Sequence, residues 1–177
     1  GTIELSRTSS RFDPFAWDAT LTVEPGSFEG DGYVRTLLTG HVRRHSDDLA
    51  ADIRIGGAAG FVTGGASGQR HFLLGGRETL PGYEYRGFSG SRMAVLDAEV
   101  SRDVWRPWLR VRAVAAAGWT GGNTIGRLYL VPIMHEPGSG DYPVDGLPGT
   151  DGVRTSVGFG VSGFWDQLRL DLVRGLN

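Results

Sequence analysis

The feature that most constrains this chain is a strict alternation of apolar and polar residues, repeated over segment after segment. In residues 16–24, Trp17, Ala19, Leu21 and Val23 alternate with Asp18, Thr20, Thr22 and Glu24. Side chains of an extended strand point to opposite faces in turn, so each such segment has two faces of different polarity. The same period runs through 1–8 (Ile3 and Leu5 against Thr2, Glu4 and Ser6), through 33–44 (Val34, Leu38 and Val42 against Arg35, His41 and Arg43) and through 49–61 (Leu49, Ala51, Ile53, Ile55 and Phe61 against Asp52 and Arg54). It resumes in 92–102 (Ala94, Leu96, Ala98 and Val100 against Asp97 and Glu99) and in 108–119 (Leu109, Val111 and Ala113 against Arg110 and Arg112). It closes in 153–163 (Val157, Phe159 and Val161 against Arg154 and Ser156) and 167–176 (Leu168, Leu170 and Leu172 against Arg169 and Asp171). Residues 126–133 read as a short strand extension. No segment has a helical period, so the spacing predicts an all-β fold, an antiparallel meander of about eight strands. Its expected form is a small β-barrel or barrel-like sheet, in one domain over residues 1–177.

Turn chemistry falls between these segments. Asp13-Pro14 ends the first, Pro25-Gly26 with Gly30-Asp31-Gly32 the second, His45-Ser46-Asp47-Asp48 the third, and Pro107 marks a tight connection. Gly56, Gly57 and Gly60 predict a bend or the close approach of another piece of backbone. Two long loops remain. The first spans 64–91; its centre at 70–92, RHFLLGGRETLPGYEYRGFSGSR, is too rich in Gly, aromatics and charge to be a strand. The second spans 134–152, and its Gly- and Pro-rich part at 137–152 is expected to hold no regular structure.

Composition removes several function classes. A net charge of −2 and a pI near 6.1 supply no basic face for nucleic acid. All 18 basic residues are Arg, so Schiff-base chemistry and a phosphate-loop lysine are excluded. There is no Cys, which removes disulfides, thiol catalysis and Cys-ligated metals. No apolar run is long enough for a transmembrane helix, but a barrel strand needs only about 9–11 alternating residues. The chain opens on Gly1 with neither Met nor signal peptide, as expected of a processed protein or a piece of a longer one.

Catalytic patterns do not assemble. Gly158-Phe159-Gly160-Val161-Ser162-Gly163 spells the dinucleotide fingerprint, but it lies in a strand with no helix after it. Gly87-Phe88-Ser89-Gly90-Ser91 fails as a nucleophile elbow at its last position. His135-Glu136 lacks the second His of a zinc-protease helix, and His41, His45, His71 and His135 are scattered. Asp141, Asp145 and Asp151 lack the spacing of a calcium loop. The expectation is a protein that is not an enzyme and that takes no cofactor, metal or evident small-molecule substrate.

The charged face is the other candidate. Asp52 with Arg54, and Asp97 and Glu99 with Arg110 and Arg112, are spaced to form a paired network in a polar lumen; the same pattern also fits an ordinary solvated face. Alternation does not say which face points inward. Trp105, Trp108, Trp119 and Trp165 near strand ends read either as an interfacial girdle or as sheet-edge packing.

The order of motifs adds a resemblance. Phe72-Leu73-Leu74-Gly75-Gly76, Leu80-Pro81-Gly82-Tyr83, Phe88-Ser89-Gly90, a strand with Ala98-Glu99-Val100, and an ending of Val157-Gly158-Phe159-Gly160-Val161 then Leu168-Arg169-Leu170-Asp171-Leu172 stand in sequence. Together they resemble the bacterial surface-antigen superfamily of outer-membrane barrels, the BamA-like barrel-assembly and two-partner-secretion translocases, over residues 70–120 and 153–176. The family's barrel has about sixteen strands, so the resemblance implies that this chain matches the C-terminal half. It implies that the first long loop folds back into the lumen, bringing Leu80, Pro81, Gly82, Tyr83, Tyr85, Arg86 and Phe88 to the wall or to a partner. In the family a loop Arg pairs with a wall Asp. Here Pro81 and Ala116 stand at those positions, so both ends of the pair are replaced together, and no Asp is evident to match Arg86 as a shifted substitute.

The resemblance places the protein in the cell envelope of a Gram-negative-type bacterium, in the outer membrane or at a periplasm-facing membrane surface. Its expected role is structural: an accessory subunit or degenerate relative of the translocase barrels, with other subunits of a membrane complex as partners and lipid as a further contact. The alternative is the C-terminal half of a protein-insertion or secretion pore.

Overall fold

The computed structural model describes residues 1–9, 15–47, 50–66, 68–105, 108–125, 128–130, 142–144, 146–164 and 167–176. The strands are β1 (Ile3–Thr8), β2 (Phe15–Phe28), β3 (Asp31–Ser46), β4 (Ala51–Gly64), β5 (Phe72–Leu74), β6 (Phe88–Gly90), β7 (Arg92–Trp105), β8 (Leu109–Gly121), β9 (Leu128–Leu130), β10 (Tyr142–Val144), β11 (Arg154–Gly163) and β12 (Leu168–Gly175). Eight of them form one sheet in the order β1-β2-β3-β4-β7-β8-β11-β12, and every neighbouring pair is antiparallel. The predicted all-β meander is present, with no α-helix among the described residues.

Three expectations are corrected. The second strand does not stop at Pro25-Gly26; it continues to Phe28. Proline is tolerated there because β1 pairs with β2 only as far as Val23, so Pro25 sits where β2 has no neighbour on that side. Gly26 leaves room for the ring of Tyr33, which would lie 2.5 Å from an added Cβ. The turn is Glu29-Gly30, both residues at positive φ (53° and 94°), between the paired Phe28 and Asp31, as a tight type I′ hairpin requires. Second, the long loops hold short strands: β5 pairs with β6 inside the first, and β10 in the second pairs with β9. Third, the sheet is open. Hydrogen bonding joins β1 only to β2 and β12 only to β11, so the eight strands do not close into a barrel. An eight-strand barrel is about wide enough inside for side chains alone, and here a loop lies on one face of the sheet.

Register assigns the two faces. Residues directly opposite in an antiparallel pair point to the same side. One line of partners runs Trp17, Val42, Ile55, Ala98, Ala115, Val157, and the next Phe15, Arg44, Ile53, Val100, Ala113, Phe159, Leu172. This outer face is apolar yet bare: Phe159 is 64% exposed, Leu170 64% and Ile55 46%. The inner face carries Asp52, Ser101 and Arg112 on one line, all buried, and Ala116 and Ser156 on another. The usual polarity of a water-soluble sheet is inverted.

The connections between strands differ at the two ends. Short turns join β3 to β4, β7 to β8 and β11 to β12 at one rim, while the loops at 65–91 and 122–153 leave from the opposite rim. Because β1 and β12 each lack a neighbour, amides of the isolated chain that point away from β2 and β11 are expected to exchange with deuterium at least about tenfold faster than those of β4 and β7. Uniform protection across all eight strands would mean that the edges are paired in solution.

Candidate functional site

The inner face holds two features, a seated loop and a charged trough. The loop is built by its glycines. After β5, Gly75 and Gly76 both take positive φ (117° and 89°), and a Cβ on Gly75 would lie 2.1 Å from the carbonyl of Glu84. That reversal lets Leu80 N–H donate to the Gly76 carbonyl at 3.0 Å, and Thr79 Oγ1 bonds the Gly75 backbone at 3.0 and 3.1 Å. Leu74 and Leu80 thereby turn toward the wall, where both are fully buried with Ala116, and Tyr83, Phe88 and Val95 pack around them.

The wall receives the loop because it lacks side chains there. A Cβ on Gly118 would come 2.9 Å from Leu74, one on Gly60 2.5 Å from the Phe72 ring, and one on Gly175 2.8 Å from the Tyr83 ring. Tyr83 Oη donates to the Thr155 carbonyl at 2.9 Å, and Tyr83 and Phe88 meet edge to face at 5.9 Å. Arg35 lies over the Phe72 ring at 4.6 Å.

The second loop is tied to the first. Ser89, fully buried, donates from Oγ to the Leu147 carbonyl at 2.7 Å and accepts from Ile125 N–H at 3.0 Å. Its N–H reaches the Pro148 carbonyl at 2.7 Å. Thr120 and Thr150 exchange hydrogen bonds between backbone and hydroxyl at 3.0 and 3.2 Å. Burial holds the His71 imidazole below its ordinary pKa, which keeps it neutral at neutral pH.

Of the loop residues singled out from sequence, Leu80, Tyr83 and Phe88 are in this seat, and Gly82, at φ 86°, passes so close to β12 that a Cβ would lie 2.7 Å from Gly175 N. Pro81 is half-buried. Tyr85 and Arg86 are not in the seat: both are exposed, and the Arg86 guanidinium lies over the Tyr85 ring at 4.9 Å. Arg86 therefore does not replace the loop arginine implied by the resemblance. Around Ala116, where the resemblance puts a wall Asp, the contact is apolar. Losing both members of a buried ion pair can be nearly neutral, whereas losing one strands a charge.

The trough occupies the rest of the inner face, toward the short-turn rim. It holds about 1200 Å³ and is lined from six strands, among them by Glu4, Asp18, Arg43, Asp52, Glu99 and Arg110. Its centre is Asp52, 7% exposed, which accepts from His45 Nδ1 at 2.8 Å and Arg43 Nη2 at 3.1 Å and faces Arg110 Nη2 at 3.4 Å. Arg110 continues to Asp103 at 2.6 Å. Closer to β12, Glu99 faces Arg112 at 3.8 Å and Arg169 at 3.4 Å, and Asp171 joins both arginines. Glu24 binds Arg70 at 2.6 Å, which anchors the start of the first loop to β2.

The predicted pairs are partly regrouped. Glu99 does meet Arg112, but Asp52 bonds Arg43 and His45 rather than Arg54, and Arg110 goes to Asp103 and Asp52. Arg54 and Asp97 have no oppositely charged side chain within 4 Å among the described residues. Arg43, His45, Asp103, Arg169 and Asp171 were missed, because choosing partners on the same face needs the register, and β7 carries an irregularity between Asp103 and Trp105. The described residues contain no cluster suited to a metal ion. His135, Glu136, Asp141, Asp145 and Trp165 lie outside the described residues. Neither family models nor curated proteins yield a match to this chain, so its reading rests on its own residues.

Two outcomes test the site. Gly118→Val is expected to push Leu74 off the wall and speed tryptic cleavage after the exposed Arg77 and Arg86 by more than about tenfold. Gly32→Val, with open space around it, should leave the rate unchanged. Asp52→Ala should lower the thermal midpoint, and in a double-mutant cycle Asp52→Ala with Arg110→Ala should be less destabilised than the sum of the singles, by about 0.5–2 kcal/mol. Strict additivity would show that the pair is not coupled.

Proposed function

We propose that this chain forms part of the wall of a larger membrane β-barrel in a bacterial cell envelope, and that it acts without catalysis, as half of a polypeptide-insertion or secretion pore of the surface-antigen kind. The observation that carries this reading is the inverted sheet: an apolar, exposed outer face over a charged, loop-filled inner face. In water, so large a bare apolar surface is costly, at about 25 cal/mol per Å². In lipid the same surface is matched, and the inner face becomes the lining of a polar lumen.

The open edges fit this reading. Backbone groups cannot be left unpaired within hydrocarbon, so β1 and β12 call for further strands, from the same polypeptide or another, that complete a ring wide enough to hold the loop. The short turns at one rim and long loops at the other follow the usual asymmetry of envelope barrels. A second reading, a structural subunit no longer engaged in transport, is favoured by one observation: the apolar contact of Leu74, Leu80 and Ala116 where the resemblance implies an ion pair.

The test is to fold the protein into vesicles of brominated phosphatidylcholine and follow tryptophan fluorescence, since Trp17 and Trp105 lie on the outer side of the sheet. Strong quenching is expected, together with protection of 72–90 from added protease. Protein left unquenched in the supernatant would sink the membrane reading. Quenching without ion conductance in a planar bilayer, once the edges are paired, would favour the structural subunit over the pore.

A further inference from the structure

The outer face is not only apolar. Taking every outward position of the eight strands from the register, the charged residues there are five arginines, Arg7, Arg44, Arg92, Arg102 and Arg174, with no Asp or Glu among them. All five are exposed, and none has a carboxylate within 4 Å among the described residues. On the inner face both signs of charge mix freely; on the outer face the anions are missing.

Their placement is as selective as their sign. Arg7, Arg44 and Arg102 lie one, two and three residues from the ends of β1, β3 and β7, strands that all run toward the short-turn rim. Arg92 and Arg174 lie at the opposite rim, at the first residue of β7 and the last but one of β12. The outward positions between are apolar, small or hydroxyl-bearing. In the sheet order, β2 separates β1 from β3, and β4 separates β3 from β7. The three arginines of the short-turn rim therefore stand on every second strand, about 9–10 Å apart across the sheet and stepped along it: Arg7 is level with Gly40, four residues from Arg44, and Arg44 is level with Ile53, two residues from Ala51, the partner of Arg102.

Aromatic rings share that rim. Phe15, Trp105, Trp108 and Phe164 are exposed, Trp108 and Phe164 meet edge to face at 5.7 Å, and the Arg7 guanidinium lies 5.7 Å from the centre of the Trp17 ring. An aromatic ring with a polar edge suits the boundary between hydrocarbon and headgroup. A guanidinium at that depth can lay its stem along the apolar wall and reach a phosphate with its planar fork. Left in hydrocarbon without an anion, each would be costly.

From this geometry we infer that Arg7, Arg44 and Arg102, with the tryptophans beside them, form a row of binding sites for the headgroup phosphates of anionic phospholipids at the short-turn rim. The inference rests on the membrane reading above and adds a lipid class and a place to it. Zwitterionic lipids offer the same phosphate but cancel its charge with a cationic ammonium group, so the row prefers lipids with net negative charge.

The experiment folds the protein into bilayers holding equal amounts of phosphatidylcholine and phosphatidylglycerol, releases it gently in detergent, and counts retained lipids by native mass spectrometry. Phosphatidylglycerol is expected to be retained about fivefold or more over phosphatidylcholine. The combined Arg7→Gln, Arg44→Gln, Arg102→Gln variant should bring that ratio close to one, and Arg54→Gln, on the inner face, should not change it. Should the triple variant fail to fold, each single substitution is expected to lower the ratio in part. A ratio near one for the unaltered protein, or an unchanged ratio in the variants, overturns the inference while leaving the membrane reading intact. Loss of retention from Arg92→Gln with Arg174→Gln alone would overturn the placement at the short-turn rim. Failure to enter a bilayer of either composition would count against both readings.

Discussion

The inner face depends on a steric permission. At Gly60, Gly118 and Gly175 the wall has no side chain, and into those gaps come Phe72, Leu74 and Tyr83. A loop that leaves a sheet at one rim has many ways to lie in solvent and few ways to lie on the wall. Ordering it there costs about 1–2 kcal/mol of backbone entropy per residue, which has to be offset by burial of a few large side chains and by the bonds from Tyr83 and Ser89. Close approach makes that offset large, because apolar contacts weaken steeply once a gap opens. The glycines thus decide where the loop rests, and the loop in turn fills the space that closure of so small a sheet would need to eliminate.

How much of this was legible beforehand depended on range. Strand identity was legible because it is written at a separation of two residues, as in Trp17, Ala19, Leu21 and Val23. Glycine contacts were half legible: Gly56, Gly57 and Gly60 signalled a close approach, but that Phe72 makes it is a matter of tertiary packing. Turn placement failed at Pro25-Gly26, since a proline that normally ends a central strand is harmless where the neighbouring strand has already ended. Ion-pair partners were the least legible. Asp52 and Arg54 share a face two residues apart, yet the cations that reach Asp52 come from the next strand and from β8. The polarity of the two faces could be read from sequence, but their direction could not, because inside and outside are properties of the curved sheet.

The two faces also solve different electrostatic problems. Within the trough, carboxylates and guanidiniums neutralise each other in groups, so a substitution at Asp52, Glu99 or Asp171 touches several partners at once. On the outer face no carboxylate of the described residues lies within 4 Å of the arginines. Among the described residues, then, the inner face balances its own charge and the outer face carries a net positive one.

The bonds around Ser89 and between Thr120 and Thr150 carry a mechanical meaning. The Ser89 bonds fasten the stretch that includes Leu147 and Pro148 to the root of the loop lying on the wall, and the Thr150 bonds fasten it to β8 of the wall itself. The second loop therefore meets the strand pair that carries Leu74 and Phe88 through three hydrogen bonds to Ser89, while Thr150 holds it to β8 of the wall. The two loops thus share one buried anchor at Ser89, and a change that breaks its bonds loosens both of them from the wall at once.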